Sequence, residues 1–138
     1  MDYKKQIKSK SKFWMHLLSM PFIWLPLPFA IMLDLVVALY VFVCFPIYGI
    51  EKVKRSDYIL IFDRNKLAYL SFWAKIGCMY CGYANGGLLY IKEIAGRTEK
   101  YWCGIMHENK PGFIEHKDQV AQKFAKFGDE EDFNKKYK

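Results

Sequence analysis

Between Phe13 and Ile50 the sequence has no lysine and no arginine, and Asp34 is its one carboxylate. Segregation of that kind excludes an ordinary soluble globule. Cysteine is scarce, four in 138 residues, which excludes a small disulfide-stapled secreted scaffold. Hydrophobic residues make up 53% of the chain, too large a share for a disordered one. The sequence has no internal repeat, no serine nucleophile elbow and no H-E-x-x-H. Nor has it a glycine loop able to cradle a phosphate, for Gly86-Gly87 alone is not one. Enzyme signatures are therefore lacking, and an enzyme is the less favoured class. Acids are outnumbered, 14 against 21 Lys and Arg, giving a net charge of +7. Such a surplus invites a nucleic-acid reading. Much of it, however, flanks the apolar stretch, so anionic lipid headgroups account for it and no nucleic-acid partner is expected.

The apolar stretch is the dominant feature of what is present. One helix needs about 20 apolar residues to cross a bilayer, so residues 13–50 are too many for one crossing and slightly too few for two. Pro21, Pro26 and Pro28 interrupt the first half, each removing a donor and restricting its predecessor. Phe29 to Phe45 is an unbroken helical candidate. Two shapes fit: a re-entrant hairpin, or one tilted span preceded by an interfacial helix carrying Trp14 and Trp24. A signal peptide is the rival, but the apolar run is far longer than the usual 7 to 15 residues, and no small-x-small cleavage site follows before Glu51. Lys4, Lys5, Lys8, Lys10 and Lys12 precede the stretch, and Lys52, Lys54, Arg55, Arg64 and Lys66 follow it. That symmetry favours a hairpin with both ends on the cytoplasmic face, because a single span would bias the charge to one side. Asp34 is an intramembrane acid, and so a functional candidate; the plainer reading places it near the turn of a shallow hairpin.

These features divide the chain into a basic flank (1–12), a membrane anchor (13–50), a head (51–128) and a charged tail (129–138). In the head, Tyr58 to Phe62 is a short β-prone run. Asp63 is a good N-cap for a helix over Arg64 to Ile76, with Tyr69, Phe72, Trp73 and Ile76 on its apolar face. Gly77 would end that helix immediately before Cys78. Gly82 to Gly87 reads as a turn-rich link, and Leu88 to Trp102 as a second helix that could break at Gly96. Asp118 to Phe127 reads as a short amphipathic helix, with Val120, Phe124 and Phe127 inward and Gly128 closing it. The tail is expected to fray.

Four residues carry the chemical expectation. Cys78 and Cys81 form a C-x-x-C pair, followed by Cys103 and His107 as C-x-x-x-H. Three thiolates and an imidazole make a closed tetrahedral set suited to structural zinc, with iron as the alternative. The set closes only if the 82–87 link runs outward and the following helix returns, or if the chain reverses at Gly96. A redox dithiol at Cys78 and Cys81, or plain burial of all three thiols, stays open beside it. His107 is the least secure ligand, since His16 and His116 are also available. Cys44, in the apolar stretch, behaves as a small hydrophobe. Glu93, Arg97 and Glu99 could support the ligands from outside, although an i,i+4 ion pair between Glu93 and Arg97 is the simpler reading.

The strings CMYCGYANG and IKEIAGRTEKYWC, with the histidine that follows, resemble a family of small bacterial membrane proteins. The proline-rich apolar N-terminus and DYILIFDRNKLAYL are similar too, so the likeness covers most of the chain. Gly104 departs from it, standing where proline is expected. The resemblance implies a bacterial membrane protein and no particular activity. The expected architecture is mainly α: a proline-broken membrane hairpin or single span bearing a small helical metal-knuckle head that faces the cytoplasm from the bacterial inner membrane. The expected role is a zinc-binding accessory or scaffold protein with the bilayer and another protein as partners. The alternative is a membrane-tethered redox protein using iron or the C-x-x-C dithiol.

Overall fold

A computed structural model describes residues 10–138, with side chains from Trp14 onward. Lys4, Lys5 and Lys8 of the basic flank lie outside the described residues. The chain is mainly helical, and among the described residues there is no strand; one isolated bridge pairs Ile105 with Ala125. It divides into two compact units, Met1–Val36 and Val37–Lys138.

Two helices make up the apolar stretch, α1 (Lys10–Trp24) and α2 (Pro26–Tyr48). No reversal separates them. The Leu25 N–H still donates to the Pro21 carbonyl at 2.9 Å, so Trp14–Tyr48 is one apolar run of 35 residues. The hairpin expected from the prolines does not form, and the reason is their position. Pro26 and Pro28 stand in the first turn of α2, where a backbone N–H has no partner to lose. Pro21 and Pro46 lie inside helices and each deletes only a single i→i−4 bond. With no turn nearby, Asp34 stands within α2 rather than at a hairpin tip. Most of the run faces outward, including Leu18, Phe22, Phe29 and Leu35. It is long and apolar enough to cross a membrane, a test that a signal sequence near an N-terminus also passes.

The second unit is built around one long helix, α3 (Phe72–Trp102), of 31 residues and about 45 Å. Its N-cap is Ser71, whose Oγ accepts from the Ala74 N–H. The core joins Tyr90 and Ile94 of α3 to Val41 and Phe45 of α2, with Val53 and Ile59 from the connection between them. Phe45 is 0% exposed. Tyr40 adds a hydroxyl contact to Thr98 at 3.0 Å.

The connection, residues 49–71, runs back along α3 as an irregular segment with two short 3-10 turns, Arg55–Asp57 and Arg64–Lys66. Asp63 does cap, accepting from the Arg64 N–H at 2.7 Å, but it caps only the second of these turns. The β-prone run 58–62 pairs with nothing and instead presses its backbone onto α3. A Cβ on Gly82 would lie 2.5 Å from the Leu60 carbonyl oxygen. One on Gly86 would overlap the Tyr58 carbonyl oxygen and come within 2.9 Å of the Ile59 Cα. These glycines are therefore a docking groove inside a helix. The expected break at Gly77, link at 82–87 and break at Gly96 are all replaced by continuous helix, because tertiary packing overrides a propensity cost of about 1 kcal/mol per glycine.

Two short helices complete the unit, α4 (Lys117–Ala121) and α5 (Glu130–Tyr137). Of the three residues expected inward here, Phe124 is buried while Val120 and Phe127 are exposed. The tail does not fray. Asp129 caps α5, accepting from the Asp132 N–H at 2.9 Å, and Lys136 Nζ donates to the Phe124 carbonyl at 3.1 Å. At its end the Tyr137 hydroxyl donates to the Gly104 carbonyl at 3.0 Å. Gly104 has φ +60° and lies under the Tyr137 ring, so a side chain there would meet both backbone strain and the ring.

Candidate functional site

The four expected metal ligands are not brought together. Cys78 and Cys81 lie within α3, Cys103 is its C-cap, and His107 follows in the loop. Continuous helix from Cys81 to Cys103 separates them by about 33 Å, at about 1.5 Å per residue. A tetrahedral zinc requires its sulfurs within about 4 Å of one another, given metal–sulfur distances near 2.3 Å. In this arrangement the four do not share a site, and no three His, Cys, Asp or Glu side chains among the described residues are grouped to hold a metal. All four cysteines are free thiols, with Cys81 and Cys103 exposed.

His107 has other company. Its Nε2 is 3.8 Å from Glu99 Oε1, and its ring packs edge-on against Phe113 and His116 with centroids 5.6 Å and 5.3 Å away. Glu99 Oε1 accepts from the buried Gln119 amide at 2.8 Å. These contacts fasten the end of α3 to α4 and the loop before it.

A cleft lies elsewhere, where α2 ends. It has a volume of about 510 Å³ and is lined by Tyr48, Glu51, Glu93, Arg97, Lys100 and Gln122, among others. Residues one helical turn apart on α3 supply Glu93, Arg97 and Lys100, while the chain leaving α2 supplies Tyr48 and Glu51. Arg97 is the organiser. Its Nε donates to Glu93 Oε1 at 2.8 Å, and its Nη1 donates to the Glu51 carbonyl at 2.9 Å. The expected i,i+4 pair thus forms, half-buried rather than on a solvated face. Tyr48 stacks on Tyr101 with ring centroids 4.8 Å apart, and Trp102 meets Tyr48 edge-on. Tyr137 closes another wall; burial raises its hydroxyl above the ordinary tyrosine range. Gln122 lines the cleft, and its amide nitrogen is buried with no acceptor.

Sequence reasoning missed this cleft. Its charged residues are scattered over positions 51 to 100 and resemble an ordinary solvated surface until α2 and α3 are packed together. One signal was present: Glu93 and Arg97 at i,i+4 spacing, with Tyr101 and Trp102 close behind. The arrangement can bind a polar ligand through paired charges beside an aromatic wall; it aligns no nucleophile with a base. No protein-family model, curated protein or solved structure matches the chain.

Proposed function

We propose that this is a membrane-anchored accessory protein whose head binds at the membrane surface and does no chemistry of its own. The observation that carries the anchor is the burial of Val41 and Phe45. Both belong to the apolar run, and both complete the core of the head. A cleaved signal sequence would take core residues away with it, so their burial supports a segment that stays. Length agrees. The 35 residues of the run measure about 52 Å against about 30 Å of hydrocarbon, so a span can hold its first part in lipid and leave the last turns to the head. A single crossing replaces the hairpin in this reading, and the head faces a reducing compartment, since Cys81 and Cys103 are exposed and unpaired. For a bacterium that is the cytoplasmic side of the inner membrane. The zinc part of the earlier expectation has no support from residues that α3 holds apart.

Extraction of membranes at alkaline pH tests the anchor: the protein is expected to stay with the lipid, and its release would overturn the span. Orientation is read by an impermeant maleimide on intact cells, where Cys81 and Cys103 are expected to label only after permeabilisation.

A further inference from the structure

We propose that Cys78 and Cys81 form a two-coordinate site for a soft monovalent metal ion of the copper(I) class. Both thiols are free, Cys81 exposed and Cys78 half-buried, and they stand three residues apart within α3. Residues at that spacing share one face of a helix, with Cβ atoms about 5–6 Å apart. A disulfide needs about 3.5–4.5 Å between its Cβ atoms, so this pair closes one only if the turn unwinds. A metal bridge is longer. Two sulfurs bound in line to one ion, at about 2.3 Å each, lie about 4.6 Å apart. Side chains leaning toward each other from one face span that gap.

The turn is held against unwinding. Gly82, next after Cys81, is pressed under the Leu60 carbonyl. Between the cysteines, the Met79 sulfur accepts from the Asn65 amide at 3.2 Å. The connection thus clamps this turn of α3. Ligand count then decides which ion fits. No His, Asp, Glu or further Cys is grouped with the pair among the described residues. Structural zinc needs two more ligands, whereas a soft ion with a filled d shell is satisfied by two thiolates. Access is open, because nothing lies within 4 Å of where a Cβ on Gly77, one turn before Cys81, would be. Lys75 stands one turn before Cys78, so its ammonium offsets the net negative charge that two thiolates leave on the complex.

The proposal rests on the membrane-anchored reading only for the reducing compartment that keeps both thiols free. Binding exchanges two thiol protons for one cation. The test uses the full chain in detergent with a non-thiol reductant, titrated with copper(I) against a coloured chelator that competes for it. One copper(I) per chain is expected, with two sulfur neighbours by X-ray absorption. Cys78→Ser and Cys81→Ser should each weaken binding more than about a hundredfold, beyond the cost of losing an outer-shell partner. Cys44→Ser and Cys103→Ser should change nothing. Tyr80→Cys added to Cys81→Ser restores the thiol count on a different face of the helix, and should not restore binding. Cys81 is exposed, so Cys81→Ser should melt with wild type, which separates lost binding from lost folding. No copper held against the chelator, copper held equally by Cys78→Ser or Cys81→Ser, or binding restored by Tyr80→Cys overturns the proposal. Three or more sulfurs around the ion overturn it too, as does a Cys78–Cys81 disulfide formed under mild oxidation, which needs a turn that unwinds. Release of the protein from membranes at alkaline pH would remove the anchor, yet leave this titration readable.

Discussion

Gly86 and Gly87 are neighbours on α3, and a methyl group would act on them with opposite sign. At Gly86 it would strike the backbone of Tyr58 and Ile59, whereas at Gly87 nothing lies within 4 Å. Gly86→Ala should therefore destabilise the head by about 1–3 kcal/mol, the usual cost of overpacking against backbone. Gly87→Ala should stabilise it by up to about 1 kcal/mol, the difference in helix propensity. Thermal melts of the two variants in detergent check this: shifts of the same sign would mean that 58–61 does not dock on the helix. A second residue carries a prediction about metal. With Cys81 and Cys103 about 33 Å apart along one helix, Cys103→Ser should leave the metal content of purified protein unchanged. Elemental analysis decides it, and loss of a stoichiometric ion in the variant would mean that α3 bends to bring the cysteines together. The cysteine motif was legible as a string, but its geometry was not. The glycines around it read as a turn because glycine's backbone freedom is visible in sequence, while the backbone pressed against it from 22 residues earlier is not (Leu60 against Gly82).

Helices were legible where the apolar period was strong and the caps were local. Leu88 to Trp102 is helical as its pattern predicts, whereas the helix expected over Asp118 to Phe127 ends at Ala121, and Gly128, at φ +73°, turns the chain without closing a helix. Asp63 shows the opposite case: a true cap whose helix lasts one turn, because Ser71 starts the long helix instead. The tail shows a third, for a stretch of mixed charge folds when its charges find partners. Asp132 accepts from the Lys136 ammonium at 2.8 Å and the Lys126 N–H at 2.9 Å. Chiefly the Lys136 hydrogen bond, then that of Lys126, holds its carboxyl below the ordinary aspartate range. A lowered folded-state pKa stabilises docked α5 fully above the ordinary carboxylate pKa, and the contribution is lost as pH falls through the lowered value. The Lys126 amide resonance, followed by NMR as pH is lowered, should therefore titrate below the ordinary range and stay flat in Asp132→Asn. A midpoint at or above the ordinary aspartate value would mean that the carboxylate is not held by α5.

At the scale of the whole molecule, the separation into anchor and head that composition suggests does not fall where composition puts it. The charged residues begin at Glu51, but the second compact unit begins at Val37, because the last turns of α2 are half of a core. Hydropathy alone could not distinguish the two roles, since a valine facing lipid and a valine facing Tyr90 have the same index. Truncation separates them. A chain starting at residue 37 retains Val41 and Phe45 and should give a folded head in detergent, whereas one starting at residue 51 should not. Point variants within the intact protein make the same distinction without moving the terminus. Phe45→Ala removes a ring that is wholly buried and should cost about 3–5 kcal/mol of head stability. Leu39→Ala, six residues earlier on an exposed face, should leave the head unchanged. Resistance of the head to protease, read against denaturant in the same micelles, gives both numbers. Equal stability in Phe45→Ala and Leu39→Ala would show that the head folds without α2, and the core argument for a retained anchor would then fail.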